Sequence, residues 1–292
     1  MQRAISLLIL LLGLHMTAIG NPFNSEDWWN RLVCEESPAY SSIGDIDTSI
    51  VVVSNRAINR GELRFMSEHR NEDSLYYFFV YAYKGKWHVL SVTDLTNAIS
   101  HIPNKTKDWV IYTEGMGKIF TSNLDRGMMM ASQYDVNVIL LDYPSITTTK
   151  KMIGNYFFAI KNAKRTYKYF TPVLTVIAHQ KSMGNICGKL SLFCHSMGNH
   201  LIRQIARKDS LKSINDKTWV DNLILNAACV PERNHQKWLS KIKFAKNIYI
   251  NYNADDYVLA GAEVIGFAHQ LGRRPQYPVY TPAQYVNFSK LV

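Results

Sequence analysis

The chain has 292 residues, 47% hydrophobic and 19% charged. That suits one domain with a sizeable core and excludes a disordered or fibrous chain. The formal net charge is +10, but the basic residues are scattered and Lys150-Lys151 is only a pair. A solvated basic surface is expected, with at most weak contact to anionic surfaces; no nucleic-acid-binding module is present.

The elements follow in chain order. Met1-Gln2-Arg3 is a short basic start, residues 4–14 are almost wholly apolar, and Ala18-Ile19-Gly20 supplies small residues. This is the layout of a secretory signal, so residues 1–20 are expected to be cleaved and the protein exported, secreted or periplasmic. The apolar run is shorter than a bilayer span needs, and His15 and Thr17 interrupt its end. Residues 21–49 read as an irregular lead-in with Trp28-Trp29 and Pro38, and 50–292 as the main domain. Residues 50–54 are a strand; 75–83 and 87–92 flank Lys84-Gly85-Lys86 as a β-hairpin expected at a sheet edge. Residues 109–113 predict a strand, and 121–134 a helix with Ser122 and Asp125 as a capping box. A strand at 136–141 precedes a long helical stretch over 150–170, with Pro172 marking a break or kink. Then come a strand at 189–194, a helix at 198–208, a strand at 222–227 and a short helix within 231–245. A strand at 247–252, a helix at 259–271 and a last strand at 284–288 complete the pattern. Short apolar strands alternating with helices predict an α/β fold: a mostly parallel sheet covered on both faces, with an antiparallel N-terminal hairpin.

The chemistry centres on one turn. Cys194-His195-Ser196-Met197-Gly198 links a strand directly to a helix. A nucleophile elbow, G-x-S-x-G, needs small residues around a strained serine so that the helix can pass close to the strand; Gly198 meets this fully and Cys194 approximately. Ser182-Met183-Gly184-Asn185 repeats the four residues from Ser196 but lacks the strand before and the helix after, so Ser182 is rejected. The four cysteines, Cys34, Cys187, Cys194 and Cys229, match neither metal-site spacing nor a disulfide scaffold, although export would permit one bridge. Cys194 and Cys229 read as small core residues at strand ends. No metal or cofactor is expected.

Four segments, Val51 to Arg56, Tyr112-Thr113-Glu114-Gly115, Leu141 to Ser145 and Cys194 to Asn199, occur in an order that resembles the α/β-hydrolase superfamily. The resemblance runs over about 50–292 and is nearest to a poorly characterised group of exported α/β hydrolases of unknown function. It implies a three-layer fold and, for the oxyanion hole, backbone donors at Met197 and at Gly115 or Met116. Gly115-Met116-Gly117-Lys118 also resembles a phosphate loop, but Ile119 stands where Ser or Thr is required. The family's acidic turn matches Asn253-Ala254-Asp255-Asp256, with Asp256 as the catalytic carboxylate, Asp255 as the alternative, and helix capping as the bland reading. No catalytic His is found at the usual place. His269 is a poor candidate because it falls in the expected helix, and His195 reads as structural. Truncation before the His, or a degenerate site, is the expectation. The function expected is ester, thioester or amide hydrolysis through an acyl-enzyme on Ser196, carboxylesterase- or lipase-like, on a small-molecule or lipid-like substrate. The alternative is a non-catalytic binding protein on the same fold.

Overall fold

A computed structural model describes residues 22–276 and 278–290; the leader expected over 1–20 lies outside them. Among the described residues the first helix and strand are α1 (Glu26–Trp29) and β1 (Leu32–Glu35), followed by β2 (Ser49–Ser54), β3 (Arg56–Ile58), β4 (Met66–Arg70), β5 (Tyr76–Tyr83) and β6 (Lys86–Val92). The next elements are α2 (Leu95–Ser100), β7 (Trp109–Thr113), α3 (Phe120–Tyr134), β8 (Asn137–Asp142), α4 (Met152–Arg165) and α5 (Tyr167–Ser182). Then β9 (Leu190–His195), α6 (Asn199–Arg207), β10 (Val220–Asn226), α7 (His235–Leu239), β11 (Ala245–Tyr252), α8 (Tyr257–Gly266) and β12 (Ala283–Asn287) complete the fold.

Among the described residues, ten strands form one sheet in the order β1-β6-β5-β2-β8-β7-β9-β10-β11-β12, and β3 pairs with β4 separately. Within the large sheet β5 runs antiparallel to β2 and β6, and the other pairings are parallel. The odd and even positions of the central strands face different helices. Ile50, Val52, Val138 and Leu140 pack with Phe120, Leu124 and Met128 of α3. Val51, Val53, Ile139 and Leu141 share a core with Ile99 of α2, Ala163 of α4, Leu174 of α5 and Ile202 of α6. Burial on both sides explains why β2 and β8 are continuous apolar runs.

Three expectations change. The β5–β6 hairpin forms, with Lys84 and Gly85 at φ 47° and 75° in its tight turn. It is not the edge, because β1 from the lead-in adds outside β6, pairing Leu32 with Trp87. Four residues are too few for a periodic signal. The long helical stretch breaks at Thr166 rather than at Pro172, which lies inside α5. The Thr166 hydroxyl donates to the Ala163 carbonyl at 2.7 Å and closes α4 locally. At α3, Ser122 is inside the helix, and its hydroxyl accepts the Ile119 N–H at 3.0 Å, so it does not pair with Asp125 as an N-cap.

Helix α6 carries a titratable group into the core. His200 is 2% exposed, and burial, with Lys164 and Arg203 nearby, pushes its imidazole down to about 3. The folded chain keeps it neutral, whereas the unfolded chain takes up a proton below about pH 6.5. This contribution to stability is therefore complete above that pH and is lost as pH falls towards the folded value. Between pH 7 and 5 the parent is expected to lose about 2 kcal/mol more stability than His200→Leu; equal losses in urea melts at the two pH values would refute the assignment.

Candidate functional site

The chain turns tightly after β9. Ser196 has φ 48°, in the left-handed region that costs a side-chain-bearing residue about 1–3 kcal/mol. A short 3-10 segment, Ser196–Gly198, passes directly into α6. The turn is strapped from both sides. Asn199 Nδ2 donates to the carbonyls of Cys194 and Ser196 at 3.0 and 2.9 Å. The Cys229 N–H donates to the Ser196 carbonyl at 3.1 Å. A Cβ at Gly198 would lie 2.7 Å from the Thr113 carbonyl oxygen, so the absence of a side chain lets the helix start against β7.

Ser196 lines a cavity of about 400 Å³ with Met116, Met152, Tyr156, Met197 and Leu259. The segment after β7 closes against it: a Cβ at Gly115 would lie 2.6 Å from Ser196 Cβ and 3.2 Å from the Met197 nitrogen. Of the expected donors, Gly115 is occupied, since its N–H donates to its neighbour Glu114 Oε1 at 2.9 Å. The N–H groups of Met116 and Met197 have no hydrogen-bond partner among the described residues. They, rather than Gly115, suit a developing oxyanion.

Asp256 is the N-cap of α8, and its Oδ1 accepts the Leu259 N–H at 2.8 Å. The capping geometry therefore holds, and neither Asp256 nor exposed Asp255 is among the cavity-lining residues. The Asp256 charge is nevertheless felt at the cavity wall: burial first, then Asp256, pushes the Cys229 thiol up to about 12. The helix expected over 259–271 ends at Gly266, with Phe267 left-handed at φ 49°, so His269 is on a loop rather than in a helix. His269 is exposed, with Nδ1 3.5 Å from Glu263 Oε1. Ser182 ends α5, where its hydroxyl donates to the His179 carbonyl at 2.8 Å. Cys194 and Cys229 are buried, and all four cysteines are free.

One pairing at the site is not among the sequence expectations. His195, expected to be structural, lines the cavity beside buried Glu114. Its Nε2 is 3.5 Å from Glu114 Oε1, and its Nδ1 is 3.0 Å from Asn226 Nδ2. The Glu114 carboxylate also accepts the Tyr112 hydroxyl at 2.7 Å. Burial works to raise the Glu114 carboxyl, but His195, the Gly115 N–H, Lys118 and the Tyr112 hydroxyl outweigh it and hold the group below the usual carboxylate range. The available signal was Glu114 itself, an acid at the end of an otherwise apolar strand.

A mostly parallel sheet with helices on both faces and a strained strand-to-helix turn beneath a cavity defines an α/β hydrolase. The chain belongs to the family described as alpha/beta hydrolase of unknown function (DUF900), which it matches over residues 89–275. That segment holds Glu114, Ser196 and Asp256. No curated protein matches the chain.

Proposed function

We propose that the protein is a serine hydrolase that cleaves an ester, thioester or amide through an acyl-enzyme on Ser196. The observation that carries this reading is Ser196 itself: φ 48°, at the mouth of α6, inside a largely apolar cavity. Its hydroxyl oxygen attacks the substrate carbonyl carbon and gives up its proton, and the tetrahedral oxyanion is held by the Met197 and Met116 N–H groups. Collapse expels the leaving group with a proton and leaves the acyl-serine, which water then cleaves. We assign the proton to His195, held by Glu114 and Asn226, because it is the histidine that lines the same cavity. Asp256 keeps its capping role and biases the cavity wall by its charge.

One observation favours the non-catalytic alternative: among the described residues, no histidine hydrogen-bonds the Ser196 hydroxyl. A fluorophosphonate probe separates the readings. Labelling of the parent is expected, with loss to background in Ser196→Ala and no change in Ser182→Ala. Ester turnover should fall by about 10³-fold or more in Ser196→Ala. A folded parent that does not label would favour a binding protein, and equal loss in both variants would overturn the choice of serine.

A further inference from the structure

Helix α8 (Tyr257–Gly266) has one charged residue, Glu263, and it is turned inward. Its carboxylate accepts Arg273 Nη1 at 2.7 Å and the Gln270 N–H at 2.9 Å. The outward side of α8 is apolar: Tyr257, Val258 and Val264 are each more than half exposed, and Phe267 just beyond is 95% exposed. A helix apolar all round is ordinarily buried. Its neighbour α4 (Met152–Arg165) adds Ile153 and Phe157, each 54% exposed. The two helices are joined: the Tyr156 hydroxyl donates to the Ala262 carbonyl at 3.2 Å, and the Phe157 ring meets the Tyr156 ring edge-on at 5.3 Å. The same two helices supply Met152, Tyr156, Val258 and Leu259 to the wall of the Ser196 cavity, so this apolar face borders it through Val258.

The charge at this rim is basic. Exposed Lys161 continues the four-residue spacing of Ile153 and Phe157 along α4, and exposed Lys150 and Lys151 precede the helix. Helix α4 contains no acidic residue, and Asp255 is the exposed carboxylate at the head of α8. Aromatic and aliphatic side chains bordered by lysines match the boundary between headgroups and acyl chains of an anionic membrane. We propose that the α4–α8 rim docks on an anionic lipid surface, and that the apolar cavity takes the acyl chain of a lipid ester from it. The docking stands on the rim alone; the delivery of an ester rests on the serine-hydrolase reading.

The test uses the full chain and vesicles of phosphatidylcholine with and without phosphatidylserine. The parent is expected to co-sediment with the phosphatidylserine vesicles, and less so as salt is raised. The double variant Phe157→Gln/Phe267→Gln should lose roughly tenfold or more in partitioning, while Ser196→Ala binds as the parent does. The aromatic variant should still hydrolyse a short soluble ester but lose activity on a long-chain ester held in vesicles. Equal partitioning of parent and aromatic variant, or no binding to either vesicle, overturns the docking. A dimer abolished by the same variant, without vesicle binding, assigns the rim to a second copy and also overturns it. Vesicle binding by a parent that never labels with fluorophosphonate would sink the hydrolase reading and the ester delivery and leave the docking intact.

Discussion

Arg56→Leu is expected to lower the unfolding free energy by about 3–5 kcal/mol. Arg56 and Asp142 are 1% and 0% exposed, and the Arg56 Nε lies 2.8 Å from Asp142 Oδ2. The carboxylate is shared with the Ser54 hydroxyl at 2.6 Å and Asn123 Nδ2 at 2.6 Å. Removing the guanidinium leaves a buried negative charge with neutral donors only, and it also removes bonds to the carbonyls of Lys118 and Tyr143 at 3.0 and 2.8 Å. Those two carbonyls belong to the segments after β7 and β8. The loss should therefore loosen the Met116 segment as well, and fluorophosphonate labelling should drop along with stability. Replacing both partners by leucine should recover part of the loss, since the uncompensated charge then disappears. Urea unfolding checks this directly; a single-variant change below about 1 kcal/mol would mean that the buried pair is not holding the sheet to these loops.

Gly198→Ala should be the most damaging small change at the turn. The new methyl would lie 2.7 and 2.8 Å from the carbonyl oxygens of Thr113 and Glu114. Both obstacles are backbone at the end of β7, where Thr113 is in register with Cys194 of β9. Neither can retreat without opening the centre of the sheet, so the start of α6 must shift instead. We expect a loss of about 3 kcal/mol, at the upper end of overpacking effects. Labelling at Ser196 should be lost even in the fraction that stays folded, because a shift of the helix start moves the Met197 N–H and the serine together. Parent-like labelling with an unchanged melting temperature would show that the close approach of helix and strand is not required.

The elements read most clearly from sequence are those with a strong local pattern. The bounds of β7 match the expected 109–113, and β2 and β8 stood out because burial on both faces demands continuous apolar runs. Weak local patterns failed: β1 is four residues long, and α8 stops where Phe267 turns left-handed, which an apolar helical run does not announce. Asp256 was legible as either an acid or a cap, because both roles place a carboxylate just before a helix. In the packed chain its Oδ1 caps α8.

Local chain chemistry alone dictates that a serine stands between a strand and a helix, with a glycine two residues on. Those requirements are satisfied within a few residues of chain. What surrounds the serine was decided in three dimensions. Glu114 and His195 are 81 positions apart and meet because β7 and β9 lie side by side in parallel register, Thr113 opposite Cys194. The apolar rim of α4 and α8 arose in the same way, from two helices distant in sequence packing through Tyr156 and Ala262. Strand pairing and helix packing select partners by the whole core they complete, so no local pattern around either residue could have named them.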